Sequence, residues 1–321
     1  MVRQKRFSSS HCSISTIATA QVRQLSHQIK TLTFKFLLLF GLTLFLNSCV
    51  SHPYIQPEEE LVLFPEELYI PEQFDWKKLD SEHDIEYLDF ENKAFPIIYH
   101  AVKINLQDSD LEIEAFPGSP DTPTLFKSER TQAFARKTDC TIAINASPFC
   151  GKSGKWDLAA KLGSMRQIVG THIINGVEFS PPNQKYAALS FTKTETGWNA
   201  KIIRSQTEQE LKNCDFAFGG FYVILEDGIE QTFRAANHDS RTAAGLSEDG
   251  KYLFILVAEG EFPQQSKGLS FQQCAKIFKK MGCSDALEFD GGGSAQLCIN
   301  GKSVLSYPNL RYQANSFGFR Y

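Results

Sequence analysis

The chain has 321 residues, 42% hydrophobic and 22% charged with 26 Phe, which supplies a large core and excludes a wholly disordered chain. Formal net charge is −4, but residues 1–48 hold six Lys or Arg and no Asp or Glu, leaving 27 basic and 37 acidic residues after position 48. That acidic body excludes nonspecific nucleic-acid binding, which needs a basic surface, so no nucleic-acid partner is expected.

In chain order, basic residues precede an apolar run, Phe36-Leu37-Leu38-Leu39-Phe40-Gly41-Leu42-Thr43-Leu44-Phe45-Leu46. It is too short to span a bilayer, which needs about 20 residues. It ends in Leu46-Asn47-Ser48-Cys49, which resembles a bacterial lipoprotein signal, with Asn47 off the usual pattern. Residues 1–48 therefore read as a lipoprotein-type signal peptide and Cys49 as the lipidated first residue of the mature chain. The expectation is a membrane partner through Cys49 and a lipid-anchored, extracytoplasmic place in a bacterial cell envelope. Residues 49–75 are acidic and Pro-rich, including Pro57-Glu58-Glu59-Glu60, and read as an unordered tether. The folded domain is assigned to 76–321.

Within it, 97–106 and 111–116 read as strands, the second alternating Leu111, Ile113 and Ala115 against two Glu. Residues 128–137 read as a helix and 141–145 as an apolar strand. Hairpins are expected over 166–204, with turns at Asn175-Gly176 and Thr196-Gly197. Thr207-Glu208-Gln209-Glu210 has the form of a capping box opening a short helix. Strands follow at 221–225, 242–246 and 252–258. Ser270-Phe271-Gln272-Gln273 opens a second helix with Cys274, Ile277, Phe278 and Met281 on one face and Gly282 as its stop. Residues 286–289, 296–299, 303–305 and 316–321 complete the strands. The fold class is α+β: a strand-dominated mixed sheet domain with a few packed helices.

Six cysteines follow Cys49: Cys140, Cys150, Cys214, Cys274, Cys283 and Cys298. Their even number permits disulfides in an exported protein, and buried free thiols are the alternative. No spacing resembles a zinc site, so neither metal nor cofactor is expected.

The chemistry concentrates at chain ends of strands. Leu287-Glu288-Phe289-Asp290-Gly291-Gly292-Gly293-Ser294-Ala295 runs from an apolar strand into three glycines, which let a ligand approach the backbone. It is neither a P-loop nor a GxGxxG loop. Strand alternation points Glu288 and Asp290 to one face, where neighbouring carboxylates repel and separate in pKa, as acid–base work requires. An exposed or ion-paired Glu288 is the competing reading. His238-Asp239-Ser240-Arg241-Thr242-Ala243 places Arg241 just before a strand, as an oxyanion grip or a structural salt bridge. Asn145 ends an apolar strand, where its amide can bond a ligand hydroxyl or brace a loop. Gly219-Gly220 offers another close backbone approach, and Glu259-Gly260-Glu261 adds two acids at a strand end.

Taken in order, these segments resemble the phosphodiester glycosidase family over roughly residues 140–321. The family's closing Leu-Asn-Leu-Asp-Gly-Gly-Gly-Ser-Ser is matched at 287–295, its Arg-Thr-Ala at Arg241-Thr242-Ala243 and its paired glycines at Gly219-Gly220. Its early Asn-Gly-Gly-Phe-Phe appears as Asn145-Ala146-Ser147-Pro148-Phe149, Glu288 replaces an Asn, and Asp239-Ser240 stands where Pro often precedes the Arg. The resemblance implies hydrolysis of a sugar-1-phosphodiester, with a glycan or sugar phosphate as substrate. On that reading Arg241 holds phosphate, and Asp290 acts as acid/base or orients the sugar, with Glu259 or Glu288 as second carboxylate. Asn145 binds a sugar hydroxyl, and Gly219, Gly220 and Gly291, Gly292, Gly293 and Ser294 contact substrate. A glycan-binding surface lipoprotein without turnover is the alternative, and a structural envelope protein with a decayed site is a third.

Overall fold

The structure, a computed structural model, describes residues 64–117, 124–152, 163–233 and 237–321. The signal peptide 1–48, Cys49 and the tether up to residue 63 lie outside the described residues.

Alternating apolar residues build an eight-stranded sheet in the order Lys77–Lys78, Ile85–Asn92, Ile97–Asn105, Tyr252–Ala258, Arg241–Ser247, Cys283–Glu288, Val223–Glu226 and Ile229–Glu230. Its central strands are buried on both sides because successive residues feed two different cores. Ala244, Ile255, Leu287 and Val102 enter one core; Ala243, Leu256, Ala286 and Ala101 enter the other. The helix Phe271–Met281 covers the second face, with Cys274, Ile277 and Phe278 fully buried. The first face meets residues of two five-stranded sheets. One runs Val177–Ser180, His172–Ile174, Phe216–Gly219, Ala188–Thr194, Gly197–Ile203. The other runs Lys302–Ser303, Leu297–Ile299, Ile142–Asn145, Ser316–Arg320, Glu112–Phe116. Phe191, Phe218, Phe317 and Phe319 fill the space, and Phe218 and Phe317 stack with centroids 4.3 Å apart. A small sheet of Phe126–Lys127, Met165–Ile168 and Phe149–Gly151 flanks these.

Strands dominate as expected, but every pairing among the described residues is antiparallel, so the sheets are not mixed. Two α-helices are described, Thr131–Lys137 and Phe271–Met281. The helix expected after Thr207 is a single turn. Its cap forms, Glu210 N–H donating to Thr207 Oγ1 at 3.2 Å. Asn213 then takes φ +65° and the Asp215 N–H donates to the Phe191 carbonyl, pulling the chain into a sheet.

The 49–75 segment differs in its described part. Tyr69 is 2% exposed, its carbonyl accepts from Tyr99 Oη at 3.0 Å, and Phe64, Ile70 and Phe74 pack on the helix-side core. Charge and proline misled here because the aromatic residues between them find a surface already formed. All six cysteines of the domain are free and buried, Cys140 with Cys298 in one cluster and Cys274 with Cys283 in another.

Candidate active site

Asp290 stands where the Cys283–Glu288 strand has ended, and side chains from elsewhere in the fold fasten it. Its N–H donates to the Ala146 carbonyl at 3.0 Å and its carbonyl accepts from Asn145 Nδ2 at 2.7 Å. The Asn145 amide oxygen accepts from Thr242 Oγ1 and the Gln296 N–H, both at 2.9 Å. Asn145 is thus a buried brace joining three strand ends to the loop, and its polar atoms face protein.

The glycines have distinct reasons. Gly292 takes φ +54°. A Cβ on Gly291 would come within 2.7 Å of the Ser240 carbonyl oxygen. Gly293 adopts an ordinary conformation, but a side chain there would enter the space between the Glu261 carboxylate, 3.6 Å away, and Arg311 Cδ, 3.7 Å away. Behind the loop, Asn309 Nδ2 donates to the Gly293 and Ala295 carbonyls at 3.1 and 2.8 Å, and Gln313 Nε2 to the Ser294 carbonyl at 3.0 Å. The backbone is therefore held from behind while Gly292 and Gly293 face charged side chains.

Those side chains are Asp239, Glu261, Asp290 and Arg311. The Asp239 carboxylate lies 3.6 Å from where a Gly292 side chain would begin. Burial pushes the Asp290 carboxyl up to about 6; hydrogen bonding to Ser294 and the Arg311 charge oppose this, and Asp239 reinforces it. Glu261 is exposed at its outer edge, yet desolvation among its neighbours and the Asp239 charge raise its carboxyl, against the pull of Arg311. Arg311 packs its guanidinium over Phe149, 5.4 Å from the ring centroid, and its Nε is buried without a hydrogen-bond partner. Phe262, 51% exposed, meets the Tyr307 ring edge-on at 5.1 Å beside these acids.

The other expected residues lie elsewhere. Arg241 and Glu288 point to the helix face, as their register with Ala258 and Ala243 requires. The Arg241 guanidinium donates to the carbonyls of Leu269 (2.8 Å) and Asn237 (2.5 Å) and stacks 4.3 Å from the Phe271 ring. It therefore holds loops together, and its side chain is turned from the glycine loop. Glu288 is fully buried; neither carboxyl oxygen has a hydrogen-bond partner, and burial pushes it up to about 7 despite Arg241 and the Cys274 thiol nearby. Glu288 and Asp290 do not form a pair: one senses Arg241 and Cys274, the other Arg311 and Asp239. The strand alternation behind that pairing stops at Phe289, whose N–H still donates to the Thr242 carbonyl.

Glu259 is 1% exposed in a separate network. It accepts from His100 Nε2 at 3.0 Å and from the Ser306 N–H at 2.7 Å and Oγ, and Tyr87 Oη lies 2.8 Å from His100 Nδ1. Burial would raise its carboxyl, but these donors outweigh it and hold Glu259 below the usual range. Gly219 and Gly220 join two sheets. A Cβ on Gly220 would meet Leu287 Cδ1 at 2.3 Å and the Glu288 carbonyl at 2.6 Å.

Sequence reasoning noted Glu261 only as one of two acids at a strand end, gave neither it nor Asp239 a role, and missed Arg311. Arg311 lies between strands in a stretch whose only periodic clue is the apolar Leu305, Tyr307 and Ala314. Among the described residues, one group has the spacing of metal ligands: His83, Asp108 and Asp110, with ligand atoms within 4.8 Å of one another. It includes none of the residues around the glycine loop.

An antiparallel β fold thus gathers two raised carboxyls and a guanidinium at a glycine loop, a set suited to acid–base work on an anionic ligand. A family model described as phosphodiester glycosidase matches residues 138–320, and the chain belongs to that family. Human N-acetylglucosamine-1-phosphodiester alpha-N-acetylglucosaminidase is 22% identical over 220 residues, 62% of this chain and 39% of that protein. The mouse enzyme of the same name is 34% identical over 76 residues, 24% of this chain and 14% of that one. The matches thus span well under half the length of these relatives. The catalytic domain of the zebrafish counterpart, solved auto-inhibited by its pro-peptide, superposes with a TM-score of 0.55 at 18% identity, covering 78% of this chain and 87% of that one. A hypothetical protein from Synechocystis superposes with a TM-score of 0.54 at 12% identity, covering 73% and 62%. These two likenesses bear on the fold.

Proposed function

We propose that this chain hydrolyses the bond between a sugar's anomeric carbon and a phosphodiester oxygen at the Asp290–Ser294 loop. The observation that carries the reading is the convergence of Asp290, Asp239, Glu261 and Arg311 on Gly292 and Gly293. Arg311, with an unpaired buried Nε, holds the phosphate, the role first read for Arg241. The loop amides add donors to phosphate or sugar oxygens. Asp290, its carboxyl pushed up to about 6 by burial, serves as acid or base near neutral pH, with Glu261 or Asp239 as the second carboxylate. The phosphodiester is a good leaving group, so positioning and charge stabilisation of an oxocarbenium-like state carry most of the rate. Phe262 offers a flat apolar face for the sugar ring.

The test is release of reducing sugar from an N-acetylglucosamine-1-phosphodiester by purified protein. Asp290→Asn is expected to lower kcat about 100-fold or more, and Arg311→Ala to lower kcat/KM by a similar factor, with Arg241→Ala losing stability first. Full activity in both Asp290→Asn and Arg311→Ala sinks the assignment.

Export and anchoring are part of the same proposal. The basic flank, the apolar run 36–46 and Cys49 support a lipidated protein facing outward from a bacterial membrane. Mass spectrometry of the membrane fraction is expected to find a diacylated N-terminal Cys49; an unprocessed, soluble chain refutes it.

A further inference from the structure

We propose that the groove beside Phe221, Tyr222 and Phe233 is a second glycan-binding site, separate from the glycine loop and independent of hydrolysis. The groove holds about 320 Å³, at the small end of ligand pockets, which run from about 300 to 1,000 Å³. That is room for one or two sugar rings, and too little for a folded partner.

Its main feature is a fixed aromatic face. Tyr222 is 41% exposed, yet its ring is flanked by Tyr186, Phe221, Phe233 and Phe271, with centroids 6.4, 6.1, 6.0 and 6.1 Å away. Its backbone is fixed as well. The Glu288 N–H donates to the Tyr222 carbonyl at 2.9 Å, and the Phe221 N–H to the Glu288 carbonyl at 2.6 Å. An exposed aromatic held in one place loses little freedom on binding.

The rim supplies the complementary polar groups. Gln184, Lys185 and Thr232 line the groove and are exposed. Arg204 also lines it, but its guanidinium is taken up by Glu226 and Gln231, so the wall there is close to neutral. A pyranose has an apolar C–H face and an equatorial fringe of hydroxyls, which matches a rigid ring bordered by an amide, a hydroxyl and one ammonium. A purely apolar ligand would leave those rim groups desolvated, and among the described residues a polyanion would find one unpaired cation there, Lys185.

The experiment titrates trisaccharides of N-acetylglucosamine, glucose and mannose into the full chain carrying Asp290→Asn, by calorimetry, so that turnover does not enter. Saturable binding of at least one, at millimolar Kd or tighter, is expected. Tyr222→Ala should weaken it about tenfold or more, and Tyr222→Phe should retain it. Should Tyr222→Ala fail to keep the parent's melting profile, Thr232→Trp, which fills the groove from its exposed rim, must abolish binding instead. No saturable binding by any of the three, or binding that survives both Tyr222→Ala and Thr232→Trp, overturns the proposal. Neither result touches the hydrolysis of a monosaccharide phosphodiester, so the two sites fail separately.

Discussion

Asn145 and Glu288 are both buried polar residues near the loop, and they behave in opposite ways. Asn145 has partners for both ends of its amide, so it stabilises the strand ends it joins. Glu288 has no hydrogen-bond partner, and its carboxyl prefers to stay protonated. The sign for stability follows. The folded value of about 7 lies above the ordinary 4.5, so the folded chain holds a proton that the unfolded chain releases between those two values. Stability from Glu288 is complete below about pH 4.5, falls as pH rises to about 7 and is flat beyond. Glu288→Gln should remove this dependence. Denaturant unfolding of the two proteins is expected to show little difference at pH 4.5 and a gap of about 3 kcal/mol in favour of Glu288→Gln at pH 8. An equal gap at both values would mean that Glu288 is ionised in the folded chain. That two-residue spacing from Asp290 was legible in the sequence; its meaning was not, because the period of two ends with the strand and the chain then turns toward Ala146.

At the scale of elements, local chemistry was legible where it stood alone. Ser270 accepts from the Gln273 N–H at 3.3 Å, Gln273 Oε1 accepts from the Ser270 N–H at 2.8 Å, and Gly282 closes the helix at φ +93°. The apolar face then packs against Gly245, where a Cβ would meet Phe278 Cδ1 at 2.7 Å. Ser270→Ala is expected to lower unfolding stability by about 1 kcal/mol, measured by denaturant titration, with no change at the glycine loop. The same motif at Thr207 made its cap and no helix, since a neighbouring strand claims the chain a few residues later. Strand positions were likewise readable from alternation, whereas pairing directions were not, because alternation carries no information on which strand lies alongside.

For the molecule as a whole, the boundary drawn at residue 76 by composition falls inside a packed region. Phe64, Tyr69, Ile70 and Phe74 pack on the same core that the helix Phe271–Met281 covers, and Lys276 of that helix pairs with Glu66. Phe64 also lies against His238, ring centroids 4.3 Å apart, just ahead of Asp239. Thermal melting compares a chain beginning at residue 64 with a shorter one. One beginning at residue 76 should melt several degrees lower, as loss of a buried Tyr and its neighbours costs about 3 kcal/mol or more. Equal melting temperatures would restore the tether reading. The site was partly legible at this scale too: the ordered motifs marked the loop and its brace, while Arg311 came from a stretch that only the completed fold brings to Gly293.

The fastening of the glycine loop has a consequence in time. Its anchors come from Asn145, Ser240, Asn309 and Gln313, spread across most of the domain, and the Ser316–Arg320 strand is inserted between Glu112–Phe116 and Ile142–Asn145. The brace between Asn145 and Asp290 spans 145 residues of sequence, so the loop is held only after distant parts of the domain have met. Local sequence alone cannot set the loop's shape, and its ordering is expected late in folding, with the insertion of Ser316–Arg320 between its two neighbours.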